Sequence, residues 1–246
     1  MPGELIILNA KVHKVDLQGA VETAAAFIAT GTPHQIITLN AETCYLAYRD
    51  CGYRQVVNSA DLVTPDGTGI LWAARRLGSP LKERVTGIDL LEALVQEGAK
   101  RGWSFYLYGA APGVASEAAH KLQSRYPGLK IAGASHGYLN PGEQAQLIEQ
   151  IQKARPQLLL VALGAPAQDI FIAQNLKALN VPVALGVGGS FDVIAGRVKR
   201  APLIWQKLKL EWLYRILREP KRFKRALNLP RFVLAVLFRQ KKRATF

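Results

Sequence analysis

The chain lacks any apolar run close to the roughly 20 residues that a membrane-crossing helix needs. Its two noticeable runs, residues 5–8 and 232–238, are far shorter. No basic region precedes the first run and no small-residue cleavage site follows it, so the opening segment does not read as a secretory leader and a cytoplasmic location is expected. Cysteine is scarce. Cys44 and Cys51 stand seven apart in one predicted helix, sharing a face without being able to bridge along it, and no C-x-x-C accompanies them. Buried, reduced thiols are expected. His13, His34, His120 and His136 are scattered without metal-ligand spacing, so no metal is expected and each histidine reads as a separate structural residue.

Three motifs are also missing. No Asp-x-Asp triplet is present to hold a nucleotide diphosphate through a metal ion. No complete G-x-G-x-x-G with a well-placed acid occurs, which disfavours a dinucleotide dehydrogenase, and there is no G-x-x-x-x-G-K-[ST] loop. Acids are nearly absent from the last fifth of the chain. Residues 1–196 hold 16 Lys/Arg and 16 Asp/Glu, whereas residues 197–246 hold 16 Lys/Arg against only Glu211 and Glu219. The whole excess of +14 therefore lies in the tail, which must face whatever anion the protein approaches.

What is present alternates. Strand-like runs at 5–8, 35–38, 62–64, 104–108, 129–133, 158–163 and 183–187 are separated by helical patterns at 17–29, 67–77, 88–101, 114–125, 142–154 and 168–179. This order predicts an α/β fold, a Rossmann-like layered core with a mainly parallel sheet, over residues 1–196. Several strands run into glycine turns, at 108–113, 163–166 and 186–190. In such sheets ligands sit beyond the carboxyl ends of the strands, and a nucleotide is the natural candidate. Each turn alone reads equally well as plain chain reversal.

Residues 197–246 read as a basic amphipathic helical appendage. Leu203, Trp205, Leu208, Trp212 and Ile216 alternate with Lys207, Lys209, Arg215 and Arg218, and the run 232–238 is followed by Arg239, Lys241, Lys242 and Arg243. Such a segment can lie in an anionic membrane surface. The bland alternative is an ordinary helical cap whose apolar side packs on the core and whose charges are merely solvated. No nucleic-acid partner is expected, because the aromatics recur at helical spacing and make no stacking platform. A non-catalytic nucleotide- or nucleic-acid-binding module with a basic tail is the second reading.

Four segments together resemble the WecG/TagA/CpsF glycosyltransferase family: Thr38-Leu39-Asn40-Ala41-Glu42; residues 60–69 with Pro65-Asp66-Gly67; Arg84-Val85-Thr86-Gly87-Ile88-Asp89; and residues 186–220 with Phe191-Asp192, Arg200-Ala201-Pro202, Leu210-Glu211-Trp212 and Glu219-Pro220. The likeness covers nearly the whole chain. It implies an inverting, metal-independent transferase without a cofactor, moving an N-acetylmannosamine-type sugar from a UDP-sugar to an undecaprenyl-diphosphate-linked N-acetylglucosamine. The enzyme would be peripheral on the inner face of the plasma membrane, serving a surface polysaccharide or teichoic acid, with a homo-oligomer open.

The resemblance makes Asp66 the base, placed in a loop directly after a predicted strand; Pro65-Asp66-Gly67 also reads as a turn with Asp66 capping the next helix. Thr38 is set beside it as catalytic. Asn40, Arg84, Gln168, Gly186, Gly188 and Asp192 are implied in substrate or UDP binding, although Asn40 also reads as a helix cap and Arg84 and Gln168 as solvated side chains. Arg215, Arg222 and Arg225 are the implied contacts to diphosphate and acceptor, suited to it because a guanidinium pairs bidentately with phosphate. Ala167 and Asp169 depart from the family's usual Lys and Glu.

Overall fold

The computed structural model describes residues 2–199, 201–202, 205, 214 and 227–243. A two-stranded antiparallel hairpin, β1 (Glu4–Ile7) and β2 (Ala10–His13), opens the chain. Its two-residue turn puts Leu8 and Asn9 at φ 48° and 69°, the positive pair that suits the twist of a tight hairpin. Then follow α1 (Leu17–Thr30), β3 (His34–Leu39), α2 (Ala41–Arg49), α3 (Cys51–Ser59), β4 (Leu62–Pro65), α4 (Thr68–Arg76) and α5 (Gly87–Arg101). The core continues with β5 (Ser104–Gly109), α6 (Val114–Arg125), β6 (Lys130–Ser135), α7 (Pro141–Ala154), β7 (Leu158–Ala162), α8 (Ala167–Leu179), β8 (Val183–Gly186) and α9 (Ser190–Ile194). The last described helix, α10, spans Asn228–Arg243.

Strands β3 to β8 form one all-parallel sheet in the order β4-β3-β8-β7-β5-β6. Alternate residues of each strand face opposite layers. Ile36, Leu62, Phe105, Leu107, Leu158, Leu160 and Leu185 pack with apolar residues of α1, α5, α6 and α9. On the other side, Ile37, Leu39 and Val63 pack with the hairpin, α2, α3 and α4; Tyr106, Tyr108, Leu159 and Val161 pack with α7 and α8. The sheet is thus covered on both faces, as parallel sheets require.

Two expectations are corrected. The segment holding both cysteines is two helices, because Asp50 ends α2 and its carboxylate accepts from the Gly52 and Tyr53 amides to begin α3. Cys44 is buried and its thiol is pushed up by burial, whereas Cys51 is exposed. The last helix of the basic tail packs on the core, as the bland alternative holds. Phe232 is fully buried and Val236 nearly so, both within the cluster of α2 and α4.

Candidate active site

The decisive feature of the sheet is the reversal between neighbours β3 and β8. The chain leaving β3 enters α2 on one face, and the chain leaving β8 enters α9 on the other. Connections that part to opposite faces leave a crevice at the carboxyl ends of the two strands, which is where open α/β sheets bind ligands. Thr38, Asn40, Gly186 and Gly188 all lie on this edge.

Thr38 sits one residue from the end of β3, half-buried, and pairs in register with Thr64 of β4. The first residue of α5 closes over it: a Cβ on Gly87 would lie 3.3 Å from Thr38 Oγ1 and 3.7 Å from Val187 Cα. The turn after β4 is tied to the same place. Asp66 donates its amide to the Leu39 carbonyl at 2.9 Å, and the Val85 amide donates to the Pro65 carbonyl at 2.8 Å. The Thr64 hydroxyl donates to the Val85 carbonyl at 3.2 Å. Asp66 and Arg84, both half-buried, are thereby brought to one corner although eighteen residues separate them.

The alternatives for single residues separate cleanly. Asp66 is not the cap residue of α4: that position is Gly67, at φ 83°. Asn40 does cap α2, its Oδ1 accepting from the Thr43 amide at 3.0 Å in a reciprocal capping box. Gln168 is no solvated side chain. It is buried, and its Oε1 accepts from the Gly188 amide at 2.9 Å, so the first turn of α8 grips the glycine turn after β8. Gly188 takes φ 54°, a conformation glycine adopts without strain. Asp192, half-buried in α9, accepts through its backbone carbonyl from the Arg197 and Val198 amides.

The structure therefore groups Thr38, Asn40, Asp66, Arg84, Gln168, Gly186 and Gly188 along the ends of β3, β4 and β8, with Asp192 following on α9. Arg215, Arg222 and Arg225 lie outside the described residues. A polar cavity of about 290 Å³, lined by Gly113, Ser116, Ser135, His136 and Glu143 among others, lies beyond the ends of β5 and β6 on the same edge. A larger one, about 650 Å³ and lined by Lys14, Asp16, Phe27, Leu81 and Lys82 among others, includes none of the predicted site residues. Its size alone does not make it the site. Among the described residues no three His, Cys, Asp or Glu are grouped to hold a metal ion.

Behind this edge lie Asp169, marked in the sequence only as a departure from the family pattern, and Tyr53, which the sequence reading missed. Asp169 is buried, its Oδ2 accepting from the Tyr53 hydroxyl at 2.7 Å. Burial pushes the Asp169 carboxyl up to about 6, against the opposite pull of the Tyr53 hydroxyl and the Gln168 amide. Burial and that neighbouring carboxylate raise Tyr53 in turn, so its hydroxyl keeps its proton and donates. Nothing local in the sequence marks Tyr53, which reaches the site only because the break at Asp50 redirects α3.

The profile of the glycosyl transferase WecG/TagA/CpsF family matches residues 5–245. The chain belongs to that family. It is similar to an N-acetylglucosaminyldiphosphoundecaprenol N-acetyl-beta-D-mannosaminyltransferase of Bacillus spizizenii, 38% identical over 202 residues, covering 82% of this chain and 78% of the relative. It is also similar to a protein of the same name from Bacillus subtilis (strain 168), 38% identical over 211 residues, 86% of this chain and 82% of the relative. This WecG/TagA/CpsF family member is thus a glycosyltransferase, and the crevice between β3 and β8 is its candidate active site.

Proposed function

We propose that the protein transfers N-acetylmannosamine from UDP-N-acetylmannosamine to undecaprenyl-diphosphate-linked N-acetylglucosamine, with inversion at the anomeric carbon. The observation that carries this reading is the meeting of Asp66 and Thr38 with the Gln168–Gly188 grip at one strand edge. The names of the two relatives supply the sugars.

In the reaction the Asp66 carboxylate takes the proton of the acceptor hydroxyl as that oxygen bonds to the anomeric carbon. The bond from that carbon to the donor phosphate oxygen breaks, and UDP leaves with the electron pair. Thr38 hydrogen-bonds a substrate hydroxyl beside the base. Arg84 and the glycine turn face the diphosphate, where positioned donors offset the charge that develops on the leaving group. The tail's Arg215, Arg222 and Arg225 complete that neutralisation, in place of a metal ion.

The acceptor is carried on a lipid, and α10 suits a membrane surface on the cytoplasmic side. No helix among the described residues is long and apolar enough to cross a membrane. Leu227, Leu234 and Phe238 are 43%, 52% and 66% exposed, and their spacing sets them on one side, opposite the buried Phe232 and Val236. Basic residues follow at Arg239, Lys241, Lys242 and Arg243. An apolar stripe whose sequence runs on into basic residues fits an anionic lipid surface.

The test is transfer by the purified chain from a panel of UDP-sugars to a water-soluble diphosphate-linked N-acetylglucosamine. UDP-N-acetylmannosamine should be the preferred donor, giving a β-linked product. Transfer from a different UDP-sugar would change the donor; no transfer from any, with tight salt-dependent binding of nucleic acid, would replace the enzyme by a binding module.

A further inference from the structure

Gly186, the last residue of β8, has no room for a side chain. A Cβ there would fall 2.5 Å from Gln168 Nε2 and 2.8 Å from Asp169 Oδ1. Two consecutive side chains of α8 therefore press against the backbone that leads into the Gly188 turn. One of them, Gln168, bonds that turn directly. The other is a carboxylate removed from water, which is costly unless it is compensated.

Its compensation is incomplete. Oδ2 accepts from Tyr53 of α3, itself 2% exposed. Oδ1 makes no hydrogen bond of its own, lying against Gly186 beside the Gln168 amide. The Asp169 backbone carbonyl accepts from the side-chain Nε2 of Gln35 in β3 at 2.8 Å, which pins this turn of α8 to the strand carrying Thr38. The groups facing the carboxyl are thus a hydroxyl and an amide, with the Cys44 thiol of α2 and the Thr43 hydroxyl beyond Tyr53. An apolar side chain or an amide would be less costly at this position. An acid kept there at the cost of stability calls for a function.

We propose that Asp169 is a positioning residue for donor binding: held by Tyr53, its carboxylate orients the Gln168 amide so that Gln168 Oε1 captures the Gly188 amide and the glycine turn after β8 is fixed in shape for the nucleotide diphosphate. Gln168 has two ends, and only one orientation presents the oxygen to Gly188. A carboxylate beside Nε2 favours that orientation, because it attracts the NH2 end and repels the oxygen. Asp169 touches no substrate. It acts through Gln168.

The inference rests on the reading of this edge as a UDP-sugar site, and its test reads the turn directly as well as through ligand. Asp169→Asn and Tyr53→Phe are made in the full chain. UDP affinity is measured by calorimetry, donor and acceptor KM with the soluble acceptor, amide exchange across residues 186–190 by mass spectrometry, and Tm at pH 7.5 and pH 5. For Asp169→Asn we expect at least tenfold weaker UDP binding, a matching rise in donor KM, an unchanged acceptor KM and faster exchange of the turn. Its Tm at pH 7.5 should equal or exceed that of the parent, with the advantage shrinking at pH 5. Tyr53→Phe should move UDP affinity and exchange in the same direction by a smaller amount. Parallel loss of Tm and activity would mark Asp169 as merely structural. Unchanged exchange with unchanged UDP affinity would overturn the proposal even if the parent is an active transferase. A parent that transfers no sugar, while its turn loosens in Asp169→Asn, would overturn the function and leave the positioning role standing.

Discussion

Two regions at the same sheet edge treat a carboxylate in opposite ways. In the turn after edge strand β4, Asp66 is half-buried, its backbone tied to β3, and Gly67 holds the cap position of the following helix. In the first turn of α8, behind central strand β8, Asp169 is 2% exposed and bonded by a buried tyrosine. The difference follows from what each acid must meet. The base proposed in Asp66 has to reach an incoming hydroxyl, and Asp66 is half-buried where Asp169 is enclosed. An acid that shapes a ligand loop through a neighbour is best kept from water and substrate, where its field acts on one amide alone.

The comparison breaks most visibly at Asp66. Asp66→Asn should lower turnover by about a hundredfold or more while leaving UDP affinity nearly intact, since a base contributes on that scale to the chemical step; stopped assays with the soluble acceptor and calorimetry with UDP check both halves. A smaller effect sharpens the other side. Gly186→Ala places a methyl group where Gln168 and Asp169 now lie, and should weaken UDP binding by about tenfold, the order expected when one or two donor hydrogen bonds are misplaced, with the acceptor KM unchanged. Smaller again, and outside the crevice, is the lipid contact. Leu234→Ser and Phe238→Ser should each weaken binding to vesicles containing anionic lipid by about 1 to 2 kcal/mol, read from cosedimentation, since each removes part of a buried apolar side chain. Turnover on the soluble acceptor should not change. The smallest expected effect is that of excess EDTA, which should leave turnover where it was; loss restored by magnesium or manganese would refute the role given to the arginines.

The stability of the region around Asp169 should also respond to pH in a definite sense. A folded-state carboxyl raised from its ordinary value of 3.8 to about 6 binds its proton more readily than the unfolded chain does. The neutral acid favours the fold at low pH, and that contribution is lost as pH rises through 6. This is why Asp169→Asn should gain on the parent in Tm at pH 7.5.

Much of this architecture could be read in the residues. Each of the seven strand runs became a strand, within a residue or two, because buried parallel strands read as short aliphatic runs between glycine turns. The short β2 was missed, since Ala10–His13 carries a lysine and a histidine and its turn uses Leu8 and Asn9 without glycine. The break between α2 and α3 was missed because Asp50 ends one helix and caps the next without a proline. At the site, Asp66 and the glycine turn after β8 stood out as strand-end residues. Asp169 stood out only as a departure from a family pattern, because burial and the Tyr53 bond arise from packing between segments 116 residues apart. The same holds for Phe232, which looks like part of a surface-seeking run yet is fully buried beneath α2 and α4.

The most direct test of the contrast between the two acids is to measure UDP dissociation constant and turnover side by side in Asp66→Asn and Asp169→Asn. We predict that Asp66→Asn loses turnover at unchanged UDP affinity, whereas Asp169→Asn loses UDP affinity and retains most of its turnover at saturating donor. The reverse pattern, or two variants that lose both quantities together, would contradict the assignment of one acid to the chemistry and the other to the shape of the site.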